Sequence, residues 1–239
     1  MTRPPLPPIE RAALLLDLDG TLLDIAPTPD SVVVPPGLIA SLRALRRRLD
    51  GALAVISGRP VEQVEALLPD TATAFAGEHG AAIRHGPGMA LERVDLPTPP
   101  EAWFAAGARI AGAHPGTLLE RKPHGFVLHY RAVPELGPAL RAAMAAMVEG
   151  SDRFVMTQAR KAWELRPRGA DKGTAVAALM RQAPFAGRLP IFIGDDVTDE
   201  DAIAAAQRLG GVGLRVADAF GTPEGVRAWL AEAARKGVW

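Results

Sequence analysis

Three short, almost wholly apolar runs, at residues 12–16, 52–56 and 189–193, constrain this chain most, because each stops abruptly at residues able to do chemistry. Runs this short and continuous suit strands buried on both faces, as in the middle of a parallel sheet covered by helices. Helical patterns follow them. After the second run, Pro60 suits a first helical position, and Val61, Val64, Leu67 and Leu68 make a helical stripe. Near the end, Thr222 reads as an N-cap with Pro223 in the first turn, followed by a buried stripe of Val226, Trp229, Leu230 and Ala233. Alternation of this kind predicts an α/β fold with an open, doubly wound parallel sheet.

The middle of the chain breaks the pattern. A proline-rich stretch at 97–100 precedes a helical segment at 103–113, strand-like runs at 117–122 and 126–131, a second helical segment at 135–149, and strand-like runs at 153–158 and 161–166. Helix, strand, strand, helix, strand, strand describes an α+β unit. It is expected at 98–167, inserted into a core made of 1–97 and 168–239.

Composition removes several function classes. Lys plus Arg equals Asp plus Glu at 27 each, so no net field draws the chain to nucleic acid or to an anionic membrane. There is no cysteine, which excludes disulfides, zinc–thiolate sites and a thiol nucleophile. The start, residues 1–9, has four prolines and one arginine, and the apolar run after it is too short for a signal segment. No stretch reaches the roughly 18 apolar residues of a membrane span. A cytoplasmic protein is expected.

The first run ends in Asp17-Leu18-Asp19-Gly20-Thr21. In extended backbone, residues two apart point the same way, so both carboxylates project from the strand's C-terminal end, where open α/β sheets bind ligands. Two adjacent like charges are costly unless one is protonated or a cation lies between them, and hard oxygen donors suit magnesium. Turn capping would explain one carboxylate, not two. The second run ends in Ser57-Gly58-Arg59, where a hydroxyl and free N–H groups ahead of a helix make an anion site, although Ser-Gly is also a common turn. Lys172 opens the helical segment 171–181, the wrong charge for a helix N-terminus unless it faces an anion or simply lies in solvent. The third run ends in Gly194-Asp195-Asp196-Val197-Thr198-Asp199-Glu200-Asp201, five carboxylates in seven positions, too dense for capping the helix at 200–209 alone. A carboxylate nucleophile, a second carboxylate for acid–base work, a lysine, a hydroxyl and magnesium are the parts that phosphoryl transfer through an acyl phosphate requires.

The segments LDLDGTLLDIAPTPDSVVVP, ISGR, AGEHG, LERKPHGFVLHYR, WELRPRGADKG and FIGDDVTDE, in this order, resemble the trehalose-6-phosphate phosphatase branch of the haloacid dehalogenase superfamily nearly end to end. The resemblance implies a core of that superfamily's fold with an inserted cap. It also implies hydrolysis of trehalose 6-phosphate, the final step of trehalose biosynthesis. Asp17 would attack phosphorus, and Asp19 would protonate the leaving sugar oxygen and then activate water. Ser57 and Lys172 would hold the phosphoryl oxygens, in a substrate pocket that includes Gly58 and Arg59. Asp17, Asp195 and the backbone carbonyl of Asp19 would ligate Mg2+, supported by Asp196 and Asp199. No synthase domain accompanies these motifs, so a free-standing enzyme is expected; the expected partner is a small sugar phosphate, and the expected state is a monomer.

In the inserted unit, Glu120 and Lys122 share a strand face, His129 and Arg131 share another opposite Phe126, Leu128 and Tyr130, and Glu164 and Arg166 lie opposite Trp163 and Leu165. Period-two alternation gives a sheet with one apolar and one polar face. The resemblance implies that the polar face closes over the substrate, with Glu120, Lys122 and Glu164 on the sugar hydroxyls. His79 reads either as a structural hydrogen-bonding residue or as a substrate contact; Trp103, Trp163 and Trp229 read as core. The competing readings are a phosphatase for sucrose 6-phosphate or mannosyl-3-phosphoglycerate, a mutase, and a phospho-accepting signalling module. Asp19, which would hydrolyse the acyl phosphate, and the inserted unit both weigh against the last.

Overall fold

A computed structural model describes residues 4–26, 28, 31–159 and 161–239. Residues 1–3 of the proline-rich start, and Pro27, Pro29 and Asp30 of the first matching segment, lie outside the described residues. The chain divides into two compact units: residues 1–94 with 171–239, and residues 95–170.

The larger unit is built on strands β1 (Ala12–Leu16), β2 (Leu53–Ile56), β3 (Ala74–Gly77), β4 (Ala82–Arg84), β5 (Glu92–Arg93), β10 (Leu189–Gly194) and β11 (Val212–Arg215). Their order across the sheet is β11-β10-β1-β2-β3-β4-β5. The first five in that order run parallel, and β4 and β5 add an antiparallel edge. All five residues of β1 are fully buried, as a central strand covered on both faces must be. Each such leucine contributes about 1.5–3 kcal/mol by leaving water. The chain order moves outward one way through β2 and β3 and the other way through β11, so the switch falls between β1 and β10. Crevices at such a switch are where α/β sheets bind ligands.

Helices α1 (Leu38–Arg48), α2 (Val61–Leu67), α5 (Lys172–Leu179), α6 (Glu200–Arg208), α7 (Val216–Ala219) and α8 (Pro223–Lys236) accompany this sheet. In α1 the buried Leu38, Leu42 and Leu45 form the helical stripe. In α8 the Thr222 hydroxyl accepts from the Gly225 N–H at 3.2 Å, and Val226, Trp229, Leu230 and Ala233 are buried. Pro60 stands one place earlier than expected, as the N-cap of α2 in extended backbone. Among the described residues no helix is long and apolar enough to cross a membrane.

The smaller unit runs α3 (Glu101–Ala113), β6 (Leu118–Lys122), β7 (Gly125–His129), α4 (Gly137–Val148), β8 (Phe154–Ala159) and β9 (Ala162–Pro167). It begins and ends three residues outside the expected 98–167. Its four strands are antiparallel in the order β6-β7-β9-β8. Phe126, Leu128, Trp163, Leu165 and Phe154 face a common core with Phe104 of α3 and with Leu140 and Met144 of α4. The polar residues therefore line the opposite face. β7 ends at His129, two residues short of the expected strand end, so Arg131 lies in the following turn and is exposed.

Candidate active site

The backbone of β1 carries straight on to Asp17, whose N–H donates to the Ile193 carbonyl of β10 at 2.9 Å. The Asp17 carboxylate therefore emerges at the topological switch and is only 3% exposed. Its oxygens are both engaged: Oδ1 accepts from Lys172 Nζ at 2.6 Å and Oδ2 from Thr21 Oγ1 at 3.0 Å.

Lys172 reaches Asp17 because Asp171 caps α5. The Asp171 carboxylate accepts from the Thr174 N–H at 2.7 Å, and Thr174 Oγ1 accepts from the Asp171 N–H at 3.0 Å. This capping box places an ammonium in the first turn of the helix, where the dipole opposes it. Two carboxylates compensate. Lys172 Nζ donates to Asp199 Oδ1 at 2.6 Å as well as to Asp17, and it is 4% exposed. Burial works against its charge, but Asp17 and Asp199 outweigh burial and raise its pKa above the usual lysine range.

Asp199 is fully buried, and its other oxygen accepts the N–H groups of Asp195 and Asp196, each at 3.0 Å. It thus braces the loop after β10. Asp196 caps that loop, accepting from the Val197 N–H at 2.7 Å. Asp17, Asp195 and Asp199 offer oxygens that all lie within 4.8 Å of one another. Burial is the largest cause raising the Asp17 pKa well above the usual carboxylate range; Asp199 and Asp195 raise it further, and Lys172 pulls it back. Three carboxylates against one lysine leave an excess of negative charge, and every donor atom is a hard oxygen. Charge and donor set both fit Mg2+.

Gly20 makes this cluster possible. Its φ of +86° turns the chain just after Asp19, and a Cβ there would lie 2.1 Å from Asp195 Oδ2. The missing side chain is the space the Asp195 carboxylate occupies. Just before the turn, Asp19 is half-buried and held by a two-pronged pair with Arg59: Nε donates to Oδ2 at 2.7 Å and Nη2 to Oδ1 at 2.8 Å. A guanidinium only donates, so both acceptor oxygens of Asp19 are engaged in this arrangement.

Ser57 follows β2 and is 1% exposed; its hydroxyl accepts from the Arg59 N–H at 3.1 Å. The His79 N–H donates to the Ser57 carbonyl at 3.0 Å, and its ring lies over Gly58, where a Cβ would be 2.6 Å from Nε2. Glu78 and His79 both have positive φ, at +53° and +56°. His79 thus backs the Ser57-Gly58-Arg59 loop. Thr21, to which the sequence assigns no role of its own, is fully buried on Asp17; its position four residues after that aspartate was the available signal.

Asp17, Asp19, Ser57, Gly58, Arg59, His79, Lys172, Asp195, Asp196 and Asp199 all belong to the larger unit, whereas Glu120, Lys122, His129, Arg131 and Glu164 belong to the smaller one. There, Lys122 Nζ donates to Glu164 Oε1 at 2.9 Å, and His129 Nε2 lies 2.8 Å from Glu120 Oε2. Glu164 is 4% exposed, while Glu120 is exposed. The bond to His129 is the main reason the Glu120 carboxyl is held below its ordinary value.

The trehalose-phosphatase family model matches residues 15–222. The trehalose-6-phosphate phosphatase of Escherichia coli (strain K12) is 39% identical over 205 residues, which cover 85% of this chain and 77% of that protein. A probable trehalose-phosphate phosphatase of Sinorhizobium fredii (strain NBRC 101917 / NGR234) is 41% identical over 212 residues, 87% of this chain and 78% of its own. Among solved structures, the C-terminal domain of C. albicans trehalose-6-phosphate phosphatase superposes with a TM-score of 0.83 at 20% identity, covering 95% of this chain and 93% of that one. A sucrose-phosphatase from Synechocystis sp. PCC6803 reaches 0.59 at 15% identity, covering 96% of this chain and 98% of its own. These structural likenesses carry the fold; the family model and the two sequence relatives, which span most of the chain, carry more, and by them the chain belongs to the trehalose-phosphatase family.

Proposed function

We propose that this protein hydrolyses trehalose 6-phosphate to trehalose and phosphate through a phosphoryl group carried on Asp17. The observation that carries the reading is the buried Asp17 carboxylate at the end of β1, held by Lys172 and Thr21 with Asp19 two residues on. A carboxylate oxygen of Asp17 attacks phosphorus, the bond from phosphorus to the sugar oxygen breaks, and Asp19 gives that oxygen its proton. Water then attacks the same phosphorus while Asp19 takes a proton from it, which releases phosphate and restores Asp17. Lys172 and the Ser57 hydroxyl hold the phosphoryl oxygens, and the loop through Gly58 and Arg59, backed by His79, frames them. Mg2+, for which Asp17, Asp195 and the backbone carbonyl of Asp19 would be the ligands, neutralises charge on the transferring group when bound. Asp199 and Asp196 position Asp195 through the hydrogen bonds of their loop.

In the smaller unit, Glu120, Lys122 and Glu164 read the sugar hydroxyls, with His129 and Arg131 beside them. Carboxylates and an ammonium suit a neutral polyhydroxylated ligand because each makes several hydrogen bonds. The test compares phosphate release from trehalose 6-phosphate, glucose 6-phosphate and sucrose 6-phosphate, with Mg2+ and with chelator. Marked preference for the first, lost on chelation, is expected; equal rates on all three would reduce the protein to an unselective phosphatase. Asp17→Asn should in addition abolish both turnover and acid-stable labelling of the protein by substrate phosphate.

A further inference from the structure

The polar face of the smaller unit's sheet carries a group that the reading above leaves unused. Thr157, in β8, stands directly opposite Glu164 of β9, which stands opposite Val127 of β7, which stands opposite Glu120 of β6. Residues paired in this way point to the same face, so Thr157, Glu164 and Glu120 form one row. It crosses three strand spacings, about 14 Å. The Thr157 hydroxyl is buried and, among the described residues, has no hydrogen-bond partner.

That combination is unusual. A buried hydroxyl without a partner is destabilising, and valine would fill the same branched shape without that penalty. Glu164, its cross-strand neighbour, has Lys122. Glu120, at the other end of the row, has His129. Thr157 is thus the member of this row whose hydrogen-bonding capacity the fold leaves unspent. A hydroxyl both donates and accepts, which is the complement of another hydroxyl.

We propose that Thr157 is a further specificity residue, bonding a hydroxyl of the sugar next to the one bound by Glu164. The proposal rests on the reading of this face as sugar-binding. The atom is covered in the structure, so the sugar reaches it as neighbouring side chains part, much as Lys122 must share Glu164 with the incoming ligand.

The experiment uses the full chain with Thr157→Val and Thr157→Ser, each assayed on trehalose 6-phosphate and on p-nitrophenyl phosphate, with thermal unfolding of every variant. Thr157→Val should raise KM for trehalose 6-phosphate about three- to tenfold, as loss of one neutral hydrogen bond implies, and leave p-nitrophenyl phosphate within twofold. Its Tm should hold or rise, because the unpaired hydroxyl is gone. Thr157→Ser, which keeps the hydroxyl, should stay near the parent on both substrates. An unchanged KM in Thr157→Val, equal losses on both substrates, or a lowered Tm in Thr157→Val with Thr157→Ser also impaired would each overturn the assignment. If instead the parent protein showed no preference for trehalose 6-phosphate, the reading of the whole face would fail first, and that outcome is distinct from a failure at residue 157.

Discussion

Substituting Gly20 by alanine tests the architecture of the centre at one atom. Two costs can be worked out separately. The φ of +86° is unfavourable for any residue with a Cβ, by about 1–2 kcal/mol. For a chain of this size that corresponds to a fall in Tm of roughly 2–8 °C. The second cost is steric. The new Cβ would sit 2.1 Å from Asp195 Oδ2 and 2.4 Å from its Cγ, so the carboxylate or the turn must retreat by roughly 1 Å. A misplacement of about 1 Å in a site of this kind lowers the rate about a hundredfold. Gly20→Ala should therefore lose about two orders of magnitude in kcat on trehalose 6-phosphate while staying folded at assay temperature. The Mg2+ concentration giving half-maximal rate should rise. Gly37→Ala is the control: it has a similar φ of +81° but nothing within 4 Å of its Cβ position, so it should carry the stability cost with full activity. If Gly20→Ala kept its kcat within threefold, or if Gly37→Ala lost as much, the claim that Gly20 makes room for Asp195 would be wrong.

Lys172→Met removes the cation between two buried carboxylates. Breaking such a pair by removing one partner costs about 3–5 kcal/mol, so turnover should vanish together with a large loss in urea stability. A variant as stable as the parent would show that the ammonium is not needed to hold Asp17 and Asp199 together. The Glu120 carboxyl is held below its ordinary 4.5, chiefly by His129. A depressed carboxyl stabilises the folded state above that ordinary value and stops doing so as pH falls through the depressed one. Glu120→Gln should hence lower Tm slightly near neutral pH and not at all in strong acid; a difference that grew on acidification would reverse the sign.

The parts of the fold legible in the sequence were those fixed by burial on every side. β1 occupies residues 12–16, the whole of the first apolar run, because each of its residues is covered. β11 and the hairpin partner β4 are short and carry glycine, arginine or partly exposed residues, so no continuous run announced them. The smaller unit's alternation was readable because one face of its sheet is so plainly apolar, yet β7 stops before Arg131, where the chain turns. Strand ends told where Asp17, Ser57 and Asp195 emerge. They could not tell which way each side chain turns. The pairing of Arg59 with Asp19 and the burial of Asp199 beneath its own loop join residues through rotamers and long-range packing that local pattern does not encode. Thr21 was hidden for a different reason, since a threonine after a glycine is ordinary in any turn.

The 155 positions between Asp17 and Lys172 have a consequence for how the protein is made. At about 5–20 residues per second, a ribosome needs roughly ten to thirty seconds between the two codons. Throughout that interval β1 lacks β10, its neighbour on one side. A nascent chain therefore carries the Asp17 carboxylate without the ammonium that pairs with it in the finished fold, and the buried pair can close only late in synthesis.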